Sequence, residues 1–420
     1  MNYDVVIVGA GVGGLFTAMH LPADRKILIL SKEGLRSSDS FLAQGGICML
    51  RGDFDYEEYF EDTLRAGHYE NDRVSVDTML RASQEIIAEL VSCGVRFTRD
   101  EKGNFVFTRE GAHRSPRILY HEDCTGKEIT SHLLKRVRQM KNVTLLPHTT
   151  MIDLLTDGKE CYGVAAKDNK TGKITAYRAA HTVLATGGIG GLFQHSTNFR
   201  CLTGDALALC LKHGIPLKNV DYIQIHPTTL YSKKRGRRFL ISESVRGEGA
   251  ILIDKEGNRF TDELQPRDVV TQAIREQMKR DGMPYVRLDM RPIGREEIQS
   301  HFPTIVKKCE EEGYNVFEEP IPVVPAQHYF MGGIAVDRDS MTAMPRLYAV
   351  GETSCNGVHG KNRLASNSLL ESLVFAKKAA LKIGTEPSGL PDVSCTYDSA
   401  AGNLKQIVLE EIEKEQKRHE

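Results

Sequence analysis

The sequence lacks several features that mark whole classes of protein. Neither sign of charge is in excess, with 55 Lys and Arg against 56 Asp and Glu, so nothing in the composition suggests a nucleic-acid-binding surface. No apolar run approaches the length of about 18 residues that a membrane-spanning helix needs. An apolar strand that starts at the third residue leaves no room for a secretory signal peptide. We therefore expect a soluble, cytoplasmic protein that binds neither nucleic acid nor membrane.

The nine cysteines form no pattern typical of a disulfide framework or a metal site. No Cys-x-x-Cys pair occurs, no spacing is that of metal ligands, and the total is odd. A reduced, cytoplasmic setting is the simpler interpretation. We predict no metal ion.

At 420 residues, the chain is long enough for two or three domains. Between residues 221 and 330 it contains more charge, more arginine and less strand periodicity, as an inserted domain would. We predict a first domain over residues 1–220 that continues over 331–383, and a second, inserted domain over 221–330. Residues 384–420 read as a linker and a C-terminal helix that docks on the body.

Glycines occupy the first predicted strand-to-helix turn. The apolar residues 4–8 lead into Gly9-x-Gly11-x-x-Gly14, then into a segment that can form a helix, and then into a second apolar strand at residues 26–30. In such a βαβ unit, glycines permit a tight turn and close approach of backbone N–H groups to a pyrophosphate. The helix N-terminus also favours the anion. The sequence therefore predicts a dinucleotide-binding unit, although no acidic residue ends the second strand to contact the ribose.

Other stretches predict the elements around this unit. Residues 56–94 carry apolar side chains at three-and-four spacing, which predicts a helical segment with Gly94 as its C-cap. Residues 163–177 predict a hairpin, and residues 181–188 predict a further buried strand that ends in small residues. We expect the first domain to resume with a strand at residues 332–336.

Four clusters in the second half of the chain combine histidine or arginine with small residues. They lie at residues 224–228, 242–249, 266–268 and 325–329, the last together with 357–364. Guanidinium groups bind carboxylates bidentately, and histidine adds a charge-assisted donor of tunable pKa. A single Arg or His is more often a surface or loop residue. Together, around an inserted domain, they predict a pocket for a small dianion at a domain junction.

Several motifs occur in an order that identifies a family. They are Ala43-Gln44-Gly45-Gly46, Ala185-Thr186-Gly187-Gly188, Thr203-Gly204-Asp205-Ala206, His226-Pro227-Thr228, Arg246-Gly247-Glu248-Gly249 and residues 363–371. Together they resemble the succinate dehydrogenase and fumarate reductase flavoprotein superfamily, and within it the aspartate oxidases most. The resemblance covers residues 3–380.

The resemblance implies an α/β fold and a flavin cofactor. The fold is a Rossmann-like FAD-binding domain interrupted by an α+β capping domain, with a short helical C-terminus. The residues implied in holding FAD are Gly9, Gly11, Gly14, Ser31, Lys32, Ser38, Gln44, Gly45, Asp205, Glu352, Ser368 and Leu369. In this family, hydride leaves the substrate Cα for the flavin N5 atom.

The resemblance also implies the residues that bind the substrate carboxylates. By position these are His226, His328 and Arg363, and Ser242 adds a hydroxyl contact. A pocket with this set of groups suits a small dianion.

Proton transfer is assigned by the same resemblance. Arg267 matches the residue that handles protons in this superfamily, and Glu243 with Arg246 matches the proton relay of the fumarate reductases. An arginine is an unusual general acid or base, because its ordinary pKa lies above about 12. We therefore expect Arg267 to be essential, with orientation or electrostatic stabilisation as alternatives to proton transfer.

Two positions distinguish members of the superfamily. Asp39 lies five residues before Gln44, where members with covalent FAD carry histidine, so FAD is expected to bind non-covalently. Glu110 matches a glutamate of aspartate oxidases that faces the substrate's amino group. The alternative is that Glu110 only pairs with Arg109 or Arg114 on a loop, where ion pairs contribute little.

The resemblance implies FAD-dependent oxidation of L-aspartate to iminoaspartate, with dioxygen or fumarate as electron acceptor. The product would pass to quinolinate synthase, through a transient contact at most, on the de novo route to NAD. One alternative is a soluble fumarate reductase or succinate-oxidising flavoprotein. A second is a flavin-binding redox sensor without turnover, which would not need the full set of carboxylate-binding residues.

Overall fold

The computed structural model describes residues 2–234, 236–400 and 402–419. The strands are β1 (Asn2–Val8), β2 (Ile27–Leu30), β3 (Gly46–Cys48), β4 (Phe107–Thr108), β5 (Ile118–Tyr120), β6 (Val143–Leu146), β7 (Thr149–Thr156), β8 (Cys161–Asp168), β9 (Ile174–Leu184), β10 (Leu217–Lys218), β11 (Ile223–Leu230), β12 (Ile251–Ile253), β13 (Val286–Asp289), β14 (Ile321–Phe330), β15 (Gly333–Ala335), β16 (Leu347–Ala349) and β17 (Ser354–Cys355). The helices are α1 (Val12–His20), α2 (Asp39–Leu42), α3 (Tyr56–Ala66), α4 (Arg73–Ser92), α5 (Thr125–Arg138), α6 (Asp205–Lys212), α7 (Glu243–Gly247), α8 (Arg267–Asp281), α9 (Arg295–His301), α10 (Pro303–Glu311), α11 (Asn367–Thr385) and α12 (Leu404–His419).

The largest sheet has the strand order β6-β2-β1-β9-β8-β7, and β16 also pairs with β9. Its centre is parallel: β1 lies between β2 and β9, and Val8 is level with Leu30 on one side and Leu184 on the other. The carboxyl ends of these three strands therefore meet at one edge of the sheet. This arrangement is the α/β dinucleotide-binding fold that the sequence predicts, with its ligand-binding edge beyond the strand ends.

Two glycines, one in the turn after β1 and one in the first turn of α1, cannot be replaced by a residue with a side chain without a collision. Gly9 has φ of +122°, and a Cβ atom there would collide with the carbonyl of Ala185 at the end of β9. A Cβ atom at Gly14 would collide with the Gly9 carbonyl, so α1 could not pack this closely on the turn. The turn therefore brings the start of α1 against the edge of the sheet.

Residues 223–330 form a second sheet of four antiparallel strands in the order β11-β14-β13-β12. Helices α7 to α10 belong to this part of the chain, and α8 packs on β11. A separate hydrophobic cluster lies inside it and includes Val245, Leu252, Ile274, Leu288 and Val323. Strands and helices here are mixed, as in an α+β unit, although the strand periodicity is weak in the sequence. The domain boundaries themselves stay predictions.

The structure corrects three local predictions. The helical segment predicted at residues 56–94 is two helices, α3 and α4, because the chain turns at His68 and Tyr69, which both have positive φ. The Asp72 carboxylate then accepts a hydrogen bond from the Ser75 N–H and caps the start of α4. The hairpin strand and the strand predicted at residues 181–188 are one continuous strand, β9. The strand predicted at residues 332–336 lies outside the main sheet, where β15 pairs with β10 and β17.

The C-terminal helix docks on the body, as its apolar face predicts. Val408 and Ile412 of α12 are buried in a hydrophobic cluster that also contains Leu207 and Leu209 of α6. Among the helices described, none has the length and apolar character needed to cross a membrane.

Candidate cofactor and substrate site

A continuous cleft runs from the glycine turn to the four-stranded sheet and encloses about 1710 Å³, including its open mouth. The predicted cofactor residues that line it are Gly9, Gly11, Ser31, Lys32, Ser38, Gln44, Gly45, Asp205, Glu352, Ser368 and Leu369. Gly14 lies behind the turn, where it permits close packing. Residues from distant parts of the sequence thus come together along one wall.

Unpaired polar atoms in this cleft fit the predicted dinucleotide. The Ser38 hydroxyl and the Gln44 amide oxygen are buried, and neither has a hydrogen-bond partner among the described residues. Buried polar atoms normally have partners, so these two are suited to a bound polar ligand. Lys32 donates to the Asp205 carboxylate at 2.7 Å, which ties β2 to the start of α6 across the cleft wall.

Asp39 and Glu352, two carboxyl groups of the cleft outside the predicted substrate-binding set, have raised pKa values. Burial raises the pKa of Asp39 to about 7, although the Phe199 N–H donates to its carboxylate at 2.9 Å. Burial and the nearby charge of Asp39 raise the pKa of Glu352 to about 8. A carboxyl group at position 39 offers no ring nitrogen for attachment to a flavin, which supports the prediction of non-covalent binding.

The residues predicted to bind carboxylates come together at the other end of the cleft. His226 lies on β11 and His328 on the neighbouring antiparallel strand β14, with 5.1 Å between their ring centres. Arg267 begins α8, Ser242 precedes α7, and Arg363 lies in the loop before α11; all line the same cleft. Strand pairing therefore builds this end of the site.

Each of the two histidine rings is held through one of its two nitrogens, Nδ1. Nδ1 of His226 lies 3.2 Å from the N atom and 3.1 Å from the carbonyl of Thr228, while its buried Nε2 has no partner among the described residues. Nδ1 of His328 lies 2.7 Å from the Thr197 hydroxyl. Burial, together with the charge of Arg267, lowers the pKa of both histidines well below 6.5. Both rings are therefore neutral in the free site at neutral pH.

Arg363 is buried with few partners. One Nη atom donates to the Ser368 hydroxyl at 2.9 Å, the guanidinium stacks 4.6 Å from the centre of the Tyr329 ring, and Nε has no partner among the described atoms. Burial and the charge of Arg267 lower the pKa of Arg363 to about 10. An incompletely paired buried cation of this kind favours an anionic ligand.

Arg267 is oriented by two neighbours. Its Nε donates to Glu243 of α7, and its Nη1 donates to the Gln224 side chain at 2.8 Å. Against the effect of burial, the guanidinium groups of Arg267 and Arg246 hold the pKa of Glu243 below its usual range. Arg246 lies behind Glu243, at 3.6 Å, and does not line the cleft. The predicted relay residues are thus adjacent, and two of them, Arg267 and Glu243, line the cleft.

Glu110 is only 2% exposed, and its side chain reaches the cleft. Its two carboxylate oxygens accept hydrogen bonds from the Ser244 hydroxyl at 2.7 Å and the Ser366 hydroxyl at 2.5 Å. No cation pairs with it in the described chain, and Arg114 bonds to Asp62 instead. The alternative of a loop ion pair is therefore wrong. Burial and the charge of Glu243 raise the pKa of Glu110.

Several residues that support the site have no role predicted from the sequence. Ser244 lies inside the cluster at residues 242–249, and Ser366 lies inside the motif at residues 363–371. A serine within each of these stretches was the available signal in the sequence. Thr197 and Arg237 line the cleft from segments without a motif. Their placement depends on tertiary contacts, such as the hydrogen bond from Arg237 to the Thr197 carbonyl.

Comparison with known proteins agrees with this geometry. A family described as an FAD binding domain matches residues 4–369. An L-aspartate oxidase of Clostridium perfringens is 49% identical over 383 residues, which cover 91% of this chain and 87% of that protein. An L-aspartate oxidase of Clostridium acetobutylicum is 45% identical over 90% of this chain and 87% of its own length.

A solved structure of E. coli quinol fumarate reductase superposes with a TM-score of 0.85 at 30% identity, over 99% of this chain and 74% of that chain. The likeness spans both sheets and the cleft between them, and the FAD binding domain identifies the cofactor as FAD. The chain therefore belongs to the FAD-binding flavoproteins of the succinate dehydrogenase and fumarate reductase superfamily and, within them, to the L-aspartate oxidase family.

Proposed function

We propose that the protein oxidises L-aspartate to iminoaspartate, the first step of the de novo route to NAD through quinolinate. The observation that carries the proposal is the position of Glu110, a buried carboxylate with no ion-pair partner among the described residues, at the same cleft as His226, His328 and Arg363. A dicarboxylate with an ammonium group satisfies both kinds of site. A plain dicarboxylate would leave Glu110 unpaired and would be repelled by it.

The chain's own residues would bind and orient the substrate. Arg363 and the two histidines, His226 and His328, would hold the carboxylates, and the Ser242 hydroxyl would add a contact. Glu110 would hold the ammonium group from the opposite side, so that the substrate Cα has one orientation. When bound, FAD supplies the acceptor for the hydride that leaves this carbon.

Arg267 would act by position and charge. Glu243 and Gln224 fix its guanidinium plane, so its remaining N–H groups point in set directions towards the ligand space. A fixed positive charge stabilises the carboxylates of the substrate throughout the reaction without moving a proton. Glu243 and Arg246 would keep Arg267 in place, and a proton relay through them is the alternative.

Electrons and protons balance as follows. L-aspartate loses a hydride from Cα and a proton from nitrogen, and two electrons and two protons then reduce dioxygen to hydrogen peroxide or fumarate to succinate. Residues 221–330 would serve as a capping domain that excludes water from the site. Because an imine hydrolyses in water, a transient contact that passes the product to quinolinate synthase would protect it.

An anaerobic titration of the FAD-loaded protein tests the proposal. Flavin absorbance is followed as L-aspartate, and separately succinate, is added. Bleaching by L-aspartate alone is expected, whereas bleaching by succinate alone would reassign the protein to the fumarate reductases. No bleaching by either ligand would overturn an oxidase function.

A variant separates the two enzymes further. Glu110→Gln keeps the size of the side chain and removes its charge, so the rate of flavin reduction by L-aspartate should fall and the affinity for succinate should not. Unchanged reduction by L-aspartate, with no tighter binding of succinate, would contradict the role given to Glu110.

A further inference from the structure

Glu110 lies where a charged carboxylate is unfavourable unless other groups compensate it. The loop that carries it is pressed between the cofactor loop and α7: a Cβ atom at Gly45 would lie 2.5 Å from the Glu110 carboxylate, and one at Gly111 would collide with Glu243. The carboxylate is buried, has no ion-pair partner in the described chain, and faces the negative charge of Glu243. Hydrogen bonds are therefore the direct contacts that stabilise the negative charge of Glu110.

Each hydroxyl that reaches Glu110 also accepts a hydrogen bond, so its own proton is available for Glu110. The Ser366 oxygen accepts from the Gly46 N–H at 3.2 Å, which leaves its own proton for Glu110. The Ser244 oxygen lies 3.2 Å from the Ser242 hydroxyl, which donates to it, and its proton again points at Glu110. The two hydroxyls belong to separate elements, α7 and the residue before α11, and they contact different oxygens of one carboxylate.

We infer that Ser244 and Ser366, here called the hydroxyl pair, are positioning residues that keep Glu110 charged and aimed at the substrate's ammonium group. They thereby set the selectivity for an amino dicarboxylate over a plain dicarboxylate. This inference rests on the proposed function and adds two residues to it. A carboxylate has about four lone-pair positions, of which the hydroxyl pair occupies two, so the others stay open to a ligand.

Loss of one hydroxyl should act through the charge of Glu110. The other groups that face Glu110 are Glu243 and Arg246 on α7, Arg267 on α8, Arg363 before α11, and Cys48 on β3. None of these is changed in a Ser244 variant. Removal of a donor to the carboxylate favours its protonated form, so the pKa of Glu110 should rise further, and more of the protein should carry a neutral Glu110 that does not attract ammonium.

Ser244→Ala is the test, with Ser244→Thr as the variant that restores a hydroxyl and Ser92→Ala as the matched control. Ser92 is exposed at the end of α4, where its hydroxyl also makes one hydrogen bond, to the Glu89 carbonyl. With Ser244→Ala, KM for L-aspartate should rise about tenfold, as expected for loss of one charge-assisted hydrogen bond. The acid limb of kcat/KM should move up by about one pH unit. The dissociation constant of succinate should not rise, since succinate has no ammonium group and a less charged Glu110 repels it less.

Three results would overturn the inference while the proposed function stands: a wild-type pH profile in Ser244→Ala, an equal loss of affinity for succinate, or no recovery in Ser244→Thr. If Ser244→Ala fails to bind FAD, Ser366→Gly gives the same test on the other oxygen, because Ser366 has φ of +61°, which glycine adopts without strain. If L-aspartate does not reduce the flavin of the wild-type protein, the proposed function fails and the inference falls with it.

Discussion

Arg117 and Arg363 are both buried, yet their surroundings are opposite. Arg117 is fully buried just before β5 and bonds to three carboxylates: Asp55 at 3.1 Å, Glu58 at 2.8 Å and Asp62 at 2.8 Å. Despite its burial, these neighbours raise its pKa above the ordinary value. The anions that pair with the Arg117 guanidinium are thus carboxylates of the protein itself, and these ion pairs join α3 to the main body.

Arg363 has no carboxylate bonded to it in the described structure, only a serine hydroxyl and the face of an aromatic ring. Burial lowers its pKa to about 10, the reverse of the shift at Arg117. Removal of a buried cation whose anions are protein groups leaves those anions uncompensated, whereas a buried cation without such anions is suited to bind an anion from outside. The same substitution should therefore lower stability at Arg117 and weaken ligand binding at Arg363.

Arg117→Met should have the largest effect, and the effect should be on stability. Removal of one partner from a buried ion cluster leaves charges without compensation and typically costs about 3–5 kcal/mol. The free energy of unfolding, from urea titration of the apoprotein, should fall by about that amount. A loss below about 1 kcal/mol would break the comparison, because the carboxylates would then be compensated without Arg117.

Arg363→Met should affect ligand binding and leave the stability of the apoprotein unchanged or higher. Truncation of a buried group that pairs with a ligand charge costs about 2–5 kcal/mol, so kcat/KM for L-aspartate should fall about a thousandfold. The melting temperature of the apoprotein is measured alongside. A strongly lowered melting temperature would show that Arg363, like Arg117, is a structural cation.

The pH dependence of dicarboxylate binding extends the comparison to the histidines. Burial and the charge of Arg267 lower the pKa of His226 and of His328, so both are neutral before a ligand binds. A bound dianion raises these pKa values, the complex takes up protons, and affinity increases as the pH falls. Succinate, counted as its dianion, should bind more tightly at pH 6 than at pH 8. Calorimetry in buffers of different ionisation enthalpy measures the proton uptake, and an affinity independent of pH would contradict the expectation.

Arg65→Ala should have the smallest effect. Arg65 bonds to Asp62, the same carboxylate that Arg117 holds, but its side chain is 45% exposed. Exposed ion pairs contribute about 0–1 kcal/mol, so urea titration should show a change within about 0.5 kcal/mol. A loss comparable to that of Arg117→Met would mean that the number of partners at Asp62, and not their burial, determines stability.

Local patterns predicted much of this molecule, because the interactions that produce them are local. The glycine turn and the strands on either side of it in the sequence, β1 and β2, follow from residues close in sequence. The break after α3 did not, since apolar periodicity continues on both sides of the two positive-φ residues. The family resemblance supplied the members of the site, and pairing of β11 with β14 explains why two histidines distant in sequence become neighbours.

The hydroxyl pair and the Arg117 cluster were beyond the reach of sequence patterns. Arg117 lies 62 residues from Asp55 in the chain, and nothing in the sequence around either one indicates the other. Ser366 lies 256 residues from Glu110, so the hydrogen bond between them appears only when the segments are packed. Such contacts follow from tertiary packing and have no periodicity or motif of their own.

Gly45 restricts the substitutions that the loop beside the cofactor cleft can accept. It belongs to the loop that lines the cofactor cleft, and a methyl group on its Cα would lie 2.5 Å from the carboxylate of Glu110. Any side chain at this position would displace either the cofactor loop or the group proposed to recognise the amine. A substitution at position 45 would therefore disturb the cofactor loop and the proposed recognition of the amine together.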